Sequence, residues 1–165
     1  MLKLNLGCGE DIREGYHNID IRKLPGVIVA DVINLPYKNN SVDEIIASDI
    51  YEHISHTKSL EVLKHWYDLL KPGGGIIVRA PCLDIILQYF GQAKTLEHIK
   101  IGISLLYGGQ DYPENSHYTV CHVKLMNEFL ISVGFENINY KFEGHNVLFR
   151  AFKTFNISES KVNVL

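Results

Sequence analysis

Gly7, Gly9, Asp20 and Asp31 are the residues of this chain whose types and spacing come nearest to chemistry. Leu4-Asn5-Leu6 reads as a short buried strand that runs straight into Gly7-Cys8-Gly9. A Gly-x-Gly bend turns the backbone sharply and leaves no Cβ between its N–H groups and a ligand. Asp20 and Asp31 then stand at the ends of the next two apolar runs. Taken singly, each feature has a plain alternative: a tight turn, a helix cap, a solvated carboxylate. Two acids at successive strand ends behind a glycine bend describe a nucleoside pocket at the carboxyl edge of a parallel sheet, where open α/β sheets bind ligands. Asp49, Glu52, His53 and His117 are a second group and the candidate bases. A neutral imidazole with a pKa of about 6.5 suits proton abstraction at cellular pH, although a hydrogen-bonded structural histidine is the commoner fate. His117, Cys121 and His122 lie close together in sequence, but their spacing fits no standard zinc pattern and lacks a fourth ligand, so no metal is expected.

Apolar runs that alternate with helical patterns predict βαβ units. Strands are expected over Lys3–Leu6, His17–Ile21, Val27–Ala30, Val42–Ala47 and Gly75–Arg79, with two more near Ile138–Phe142 and Val147–Phe152. Val27–Ala30 and Ile76–Val78 are apolar on both faces, as buried parallel strands should be. From Ser55 to Leu70 the period becomes helical, with Leu60, Leu63, Tyr67 and Leu70 on one stripe and Trp66 beside it as a core residue. Ser55 or Thr57 can cap that helix, and Lys71-Pro72-Gly73-Gly74 ends it. Further helices are expected over Leu83–Phe90, Leu96–Leu106 and Lys124–Val133, the last closed by Gly134. Only ten residues separate Gly9 from Asp20, which leaves room for a first crossover helix of one or two turns. The polar segment from Gly108 to Cys121 reads as a loop over the sheet edge. The residues after Phe155 are weakly patterned, so the expected organisation is one domain over 1–155 and a tail over 156–165.

A length of 165 residues suits one core, and 46% apolar with 21% charged residues is ordinary for a soluble globular protein. A formal charge of −3 gives no basic footprint for a nucleic-acid backbone. Arg22 and Lys23, the only adjacent basic pair, are read as a solvated loop. No stretch approaches transmembrane length and no secretory signal is evident, so no membrane insertion is expected. Three widely spaced cysteines fit a reducing cytoplasm.

The motifs LNLGCG, NID, VADVINLPYKNNSVDEI, IYEHI and LLKPGGGIIV, in that order, resemble the class I S-adenosylmethionine-dependent methyltransferases. The chain is especially similar to small predicted methyltransferases with a YGGQ segment followed by a histidine, here Tyr107–Gln110 and His117. The resemblance implies a Rossmann-like, mostly parallel seven-stranded sheet with helices on both faces and a shortened first helix. It implies S-adenosyl-L-methionine as cofactor, held by Asn5, Gly7, Cys8, Gly9, Asp20, Ile21, Asp31, Val32 and Ser48. Asp20 would accept from both ribose hydroxyls, Asp31 from the adenine amino group, and the Val32 N–H would meet a ring nitrogen. Asn5 stands where the family often has an acid, which is expected to weaken ordering of the glycine loop or of the cofactor's amino group.

Methyl transfer to a small-molecule or glycan-type acceptor, through oxygen, is the implied reaction, with His117, His53 and Asp49 as candidate catalytic residues. Ala80-Pro81-Cys82 does not match the Pro-Cys nucleophile of cytosine-5 methyltransferases, because it follows the fifth strand and Leu83 replaces the usual glutamine. A nicotinamide-dependent oxidoreductase would need a third glycine where Ile12 stands, and its acid later than Asp20. A cofactor-binding partner subunit without activity remains open, since fold does not imply function. Oligomeric state is not legible.

Overall fold

The computed structural model describes residues 1–155; the tail expected over 156–165 lies outside them. Seven strands form one sheet: β1 (Lys3–Leu6), β2 (His17–Asp20), β3 (Ile28–Val29), β4 (Val42–Ser48), β5 (Leu70–Pro81), β6 (Phe135–Glu143) and β7 (Asn146–Lys153). Four helices accompany them: α1 (Ser59–Leu69), α2 (Leu83–Gly91), α3 (Leu96–Tyr107) and α4 (Val123–Val133). The strand order is β3-β2-β1-β4-β5-β7-β6. Pairing is parallel from β3 through β5, and β7 lies antiparallel to both of its neighbours. The chain leaves β1 toward one edge and returns at β4 to build the other. The switch point therefore falls between the carboxyl ends of β1 and β4, where such sheets open a crevice.

The core explains this order. Leu4, Leu6, Ile19, Ile45, Ala47, Ile76, Val78 and Phe149 are all buried, as central strands require. Helix α1 buries Val62, Leu63, Trp66 and Leu69, whereas Leu60 is exposed. Its stripe is thus turned by about one position from the expected one. Neither Ser55 nor Thr57 caps it; Lys58 holds the cap position with no side-chain bond, and the two hydroxyls bond each other. Gly134 closes α4 in the left-handed conformation, as expected.

Two other expectations fail. The 27–30 run is not a buried strand: β3 has two residues, pairs only with β2, and leaves Ile28 and Val29 exposed at the sheet edge. No helix forms between β1 and β2, because residues 7–16 are turns and irregular backbone. Side-chain amides organise this crossover instead. Buried Asn5 donates through Nδ2 to the Asp11 carbonyl at 2.7 Å and to Asn18 Oδ1 at 3.0 Å. Asn18 Oδ1 also accepts the Arg13 N–H, and its Nδ2 donates to the Arg13 carbonyl. Asn5 therefore orders the loop that it was expected to weaken.

Helix α1 also fixes the segment after β3. Trp66 is fully buried and donates Nε1–H to the Val32 carbonyl at 2.9 Å, and the Leu35 N–H donates to His65 Nε2 at 3.1 Å. Trp66→Phe should cost at least about 1 kcal/mol of stability, the usual net worth of one hydrogen bond, with the void left by the smaller ring adding to it, as read from the shift in a urea midpoint. An unchanged midpoint would show that the bond to Val32 is not holding this turn. No helix among the described residues is long and apolar enough to cross a membrane.

Candidate active site at the carboxyl edge of the sheet

A cavity of about 410 Å³ opens at the switch point. Gly7, Asp20, Ile21 and Arg22 form its floor at the ends of β1 and β2. Asp31, Val32 and Ile33 form the wall after β3, while Asp49, Ile50, His53 and Ile54 form the wall after β4. Tyr112, Pro113, Glu114 and Tyr118 roof it from the polar loop. The size and the mixture of apolar walls with a few polar groups suit a nucleoside-sized ligand.

Gly7 has φ +60, and a Cβ there would stand 2.5 Å from Ile50 Cγ1, so no other residue fits between β1 and the β4 wall. Asp20 is buried beneath the glycine loop. Its Oδ2 accepts the Gly9 N–H at 2.8 Å, and its Oδ1 accepts the Arg22 N–H at 2.9 Å and Arg22 Nε at 3.2 Å. Burial opposes its charge. The bonds from the Arg22 backbone and side chain and from Gly9 outweigh that and hold the carboxyl below the usual carboxylate range. Three of roughly four acceptor positions on this carboxylate are occupied by the protein. A ribose that used both oxygens would have to displace the Arg22 guanidinium, which also lies 5.2 Å from the centre of the Tyr112 ring.

Ile21 presents an exposed apolar side chain to the cavity, a fitting surface for one face of a purine ring. Asp31 is exposed on the opposite wall, and its Oδ1 accepts the Ile33 N–H at 2.9 Å. The lining therefore fits an adenosyl group: acceptor carboxylates at the β2 and β3 ends, with isoleucine side chains between and beyond them.

The β4 end holds the candidate bases. Asp49 follows the strand in the left-handed conformation (φ 53), which strains a residue with a Cβ and is often found at functional sites. It is exposed, ion-paired with Arg79, and bonded at 3.0 Å by Asn146 Nδ2. Glu52 and His53 lie on a 3-10 turn, Tyr51–His53. Glu52 is only 2% exposed, and burial pushes its carboxyl up to about 8. His53 Nδ1 bonds the Ser116 carbonyl at 3.0 Å, and His117 Nδ1 bonds the Leu105 carbonyl at 3.1 Å. The two rings meet edge to face with centroids 4.9 Å apart. Burial lowers the pKa of both imidazoles, and His53 adds to the lowering at His117, so both favour the neutral form.

Gly7, Asp20, Ile21, Asp31, Val32, Asp49 and His53 come together around one cavity. Asn5, Cys8, Gly9, Ser48 and His117 are not among the residues lining it. Asn5 and Gly9 act behind the wall through their hydrogen bonds, and Cys8 is buried with its N–H on the Ile19 carbonyl. His117 stands behind His53. His122 Nε2 lies 3.4 Å from Asp84, and Cys121 forms an isolated bridge with Cys82, so neither joins His117. Arg22 was misread as solvated: its place two residues after Asp20 was the available signal. Tyr112, Pro113, Glu114 and Tyr118 carried no individual signal beyond their position in the polar loop.

The strand order, switch-point cavity and strand-end acids define the class I, Rossmann-like methyltransferase fold. Residues 8–78 match a family described as "Methyltransferase domain". No curated protein matches the sequence. Among solved structures, a SAM-dependent methyltransferase from Archaeoglobus fulgidus superposes with a TM-score of 0.65 at 14% identity, over 92% of this chain and 86% of that one. An O-methyltransferase family protein from Burkholderia thailandensis gives 0.65 at 10% identity, over 94% of this chain but 51% of its own. A Haemonchus contortus phosphoethanolamine N-methyltransferase gives 0.58 at 15% identity, over 93% and 49%. The chain thus has the class I methyltransferase fold, and its residues 8–78 are similar to a methyltransferase domain.

Proposed function

We propose that the chain transfers a methyl group to an oxygen of a small-molecule acceptor, with a glycan-type hydroxyl as the first class to try. The observation that carries this reading is a single cavity running from Asp20 and Asp31 to Asp49 and His53. S-adenosylmethionine supplies a methyl group already activated on a sulfonium, so positioning accounts for much of the rate. Asp20 holds the ribose once the Arg22 guanidinium yields, Val32 and Asp31 meet the adenine, and Gly7 keeps the floor open. Tyr112 and Tyr118 exclude water from above. His53, neutral and at the cavity wall, takes the proton of the acceptor hydroxyl, for a contribution of about 10²–10⁴-fold. His117 orients it, and Asp49 is the alternative base at the mouth. Free, buried Cys8, Cys82 and Cys121 support a cytoplasmic setting.

A second reading, a cofactor-binding subunit without activity of its own, draws support from the apolar residues Leu87, Leu96, Ile99 and Ile103, exposed on α2 and α3. Labelled S-adenosylmethionine and a panel of sugar and phenol acceptors separate the two. We expect label in an acceptor and a raised melting temperature with S-adenosylhomocysteine. Tight cofactor binding with no label in any acceptor would favour the subunit, and no shift with the demethylated cofactor would end both readings.

A further inference from the structure

Glu52 makes a buried acid with no visible purpose. Its Oε2 is fully enclosed and has no hydrogen-bond partner among the described residues, although an unsatisfied buried carboxylate oxygen is costly. Its backbone carbonyl is well used, since it accepts the N–H groups of Tyr118 and Thr119. The side chain is what lacks a counterpart. A carboxylate oxygen of Glu52 and ring nitrogens of His53 and His117 all lie within 4.8 Å of one another.

We infer that Glu52, His53 and His117 form a site for one divalent first-row metal ion at the acceptor end of the cavity. Two imidazoles and one carboxylate are a ligand set that zinc and non-haem iron centres use when positions must stay open for water or substrate. The surroundings of the histidines suit that role. Each has Nδ1 on a backbone carbonyl, Ser116 for His53 and Leu105 for His117. An Nδ1–H given to a carbonyl fixes the tautomer and leaves Nε2 with its lone pair, the arrangement that orients most metal-bound histidines. A tetrahedral ion bonded at about 2.0–2.2 Å holds its ligand atoms roughly 3.3–3.6 Å apart. The trio therefore closes by up to about 1.5 Å around the ion, through side-chain rotation. The loop that brings His117 is already pinned to the 3-10 turn by the two bonds to the Glu52 carbonyl. An ion here would give the buried carboxylate its counter-charge.

Metal binding itself is independent of the proposed function. The use of the ion rests on that function: its charge, beside the one ligand that lines the cavity, would make the proton of an acceptor hydroxyl at His53 easier to lose. His53 is then a ligand, and Asp49 at the cavity mouth is left to receive the proton.

The test uses the whole chain, stripped with chelator and titrated with Co²⁺ in the visible range, with Zn²⁺ as competitor. We expect one equivalent to bind with ligand-field bands, and zinc to displace it. Glu52→Gln, which keeps the side-chain shape, and His117→Ala should each weaken Co²⁺ binding by at least about tenfold. Cys121→Ser should leave it intact. Absence of saturable binding would overturn the site, as would binding unaffected by both ligand variants or abolished by Cys121→Ser. Near-ultraviolet dichroism identifies any variant that fails to fold, and Glu52→Gln then carries the test alone. S-adenosylhomocysteine binding is measured on the same stripped samples. Its presence without cobalt binding sinks the metal site only, and cobalt binding without it sinks the methyl-transfer reading only.

Discussion

Raising the pH from about 5 to about 8 should destabilise the metal-free protein through Glu52 by about 3.5 kcal/mol, and Glu52→Gln should remove that loss. The carboxyl is buried and held up to about 8 against an ordinary 4.5. Below 4.5 it is protonated in both the folded and unfolded states, and its contribution is fully present. Between 4.5 and 8 the unfolded chain releases the proton while the folded chain retains it, so stability falls as pH rises through that window. His53 and His117 act with the opposite sign, because burial lowers their pKa and the unfolded chain holds their protons longer. Both proteins contain these histidines, so the difference between wild type and Glu52→Gln isolates the carboxyl. Urea midpoints at pH 5 and pH 8 provide the measurement. Parallel profiles for the two proteins would mean that Glu52 is not kept neutral by its surroundings.

Asp20→Ala should weaken binding of S-adenosylhomocysteine by about 1.5–3 kcal/mol, or roughly 10–150-fold, as expected for charge-assisted hydrogen bonds. The effect has two sources. The variant removes an acceptor for the ribose, and it also releases the Gly9 N–H and the Arg22 guanidinium that the carboxylate now holds. Arg22→Ala separates them, since it leaves the carboxylate in place and frees an acceptor position on Oδ1. If the guanidinium competes with ribose, this second variant should bind the cofactor at least as well as wild type. Calorimetry on both variants decides the matter, and unchanged affinity for Asp20→Ala would remove that residue from the ribose end.

The strands and all four helices were legible because their patterns are strong: β1, β4 and β7 coincide with apolar runs, and Gly134 ends α4 where a left-handed residue is required. The failures have a common cause, which is that periodicity records apolarity but not neighbours. Ile28 and Val29 read as buried, yet β3 is an edge strand with a partner on one side only. Leu60 fits a helical stripe as well as Val62 does, and only the packing of α1 chooses between them. Asn5 and Asn18 were opaque for another reason: an amide that replaces a helix leaves no pattern in sequence.

The candidate site divides in the same way. Gly7, Asp20 and Asp31 were readable because each sits at a strand end, a place that sequence specifies. The meeting of His117 with Glu52 and His53 depends on how one long loop folds back over the sheet, which local pattern does not encode.

The crossover held by Asn5 and Asn18 has an electrostatic consequence. A helix starting after the glycine bend would align its peptide dipoles and place about half a positive charge at the methionine end of the cofactor. Residues 7–16 contain no such helix. Under the proposed function, the carboxylate of the cofactor's amino-acid portion would be met by separate N–H groups or by a cationic side chain, over contact distance and without a long-range field. Attraction at that end depends on how well a few groups are aimed, and the asparagine pair fixes the crossover that follows the glycine bend.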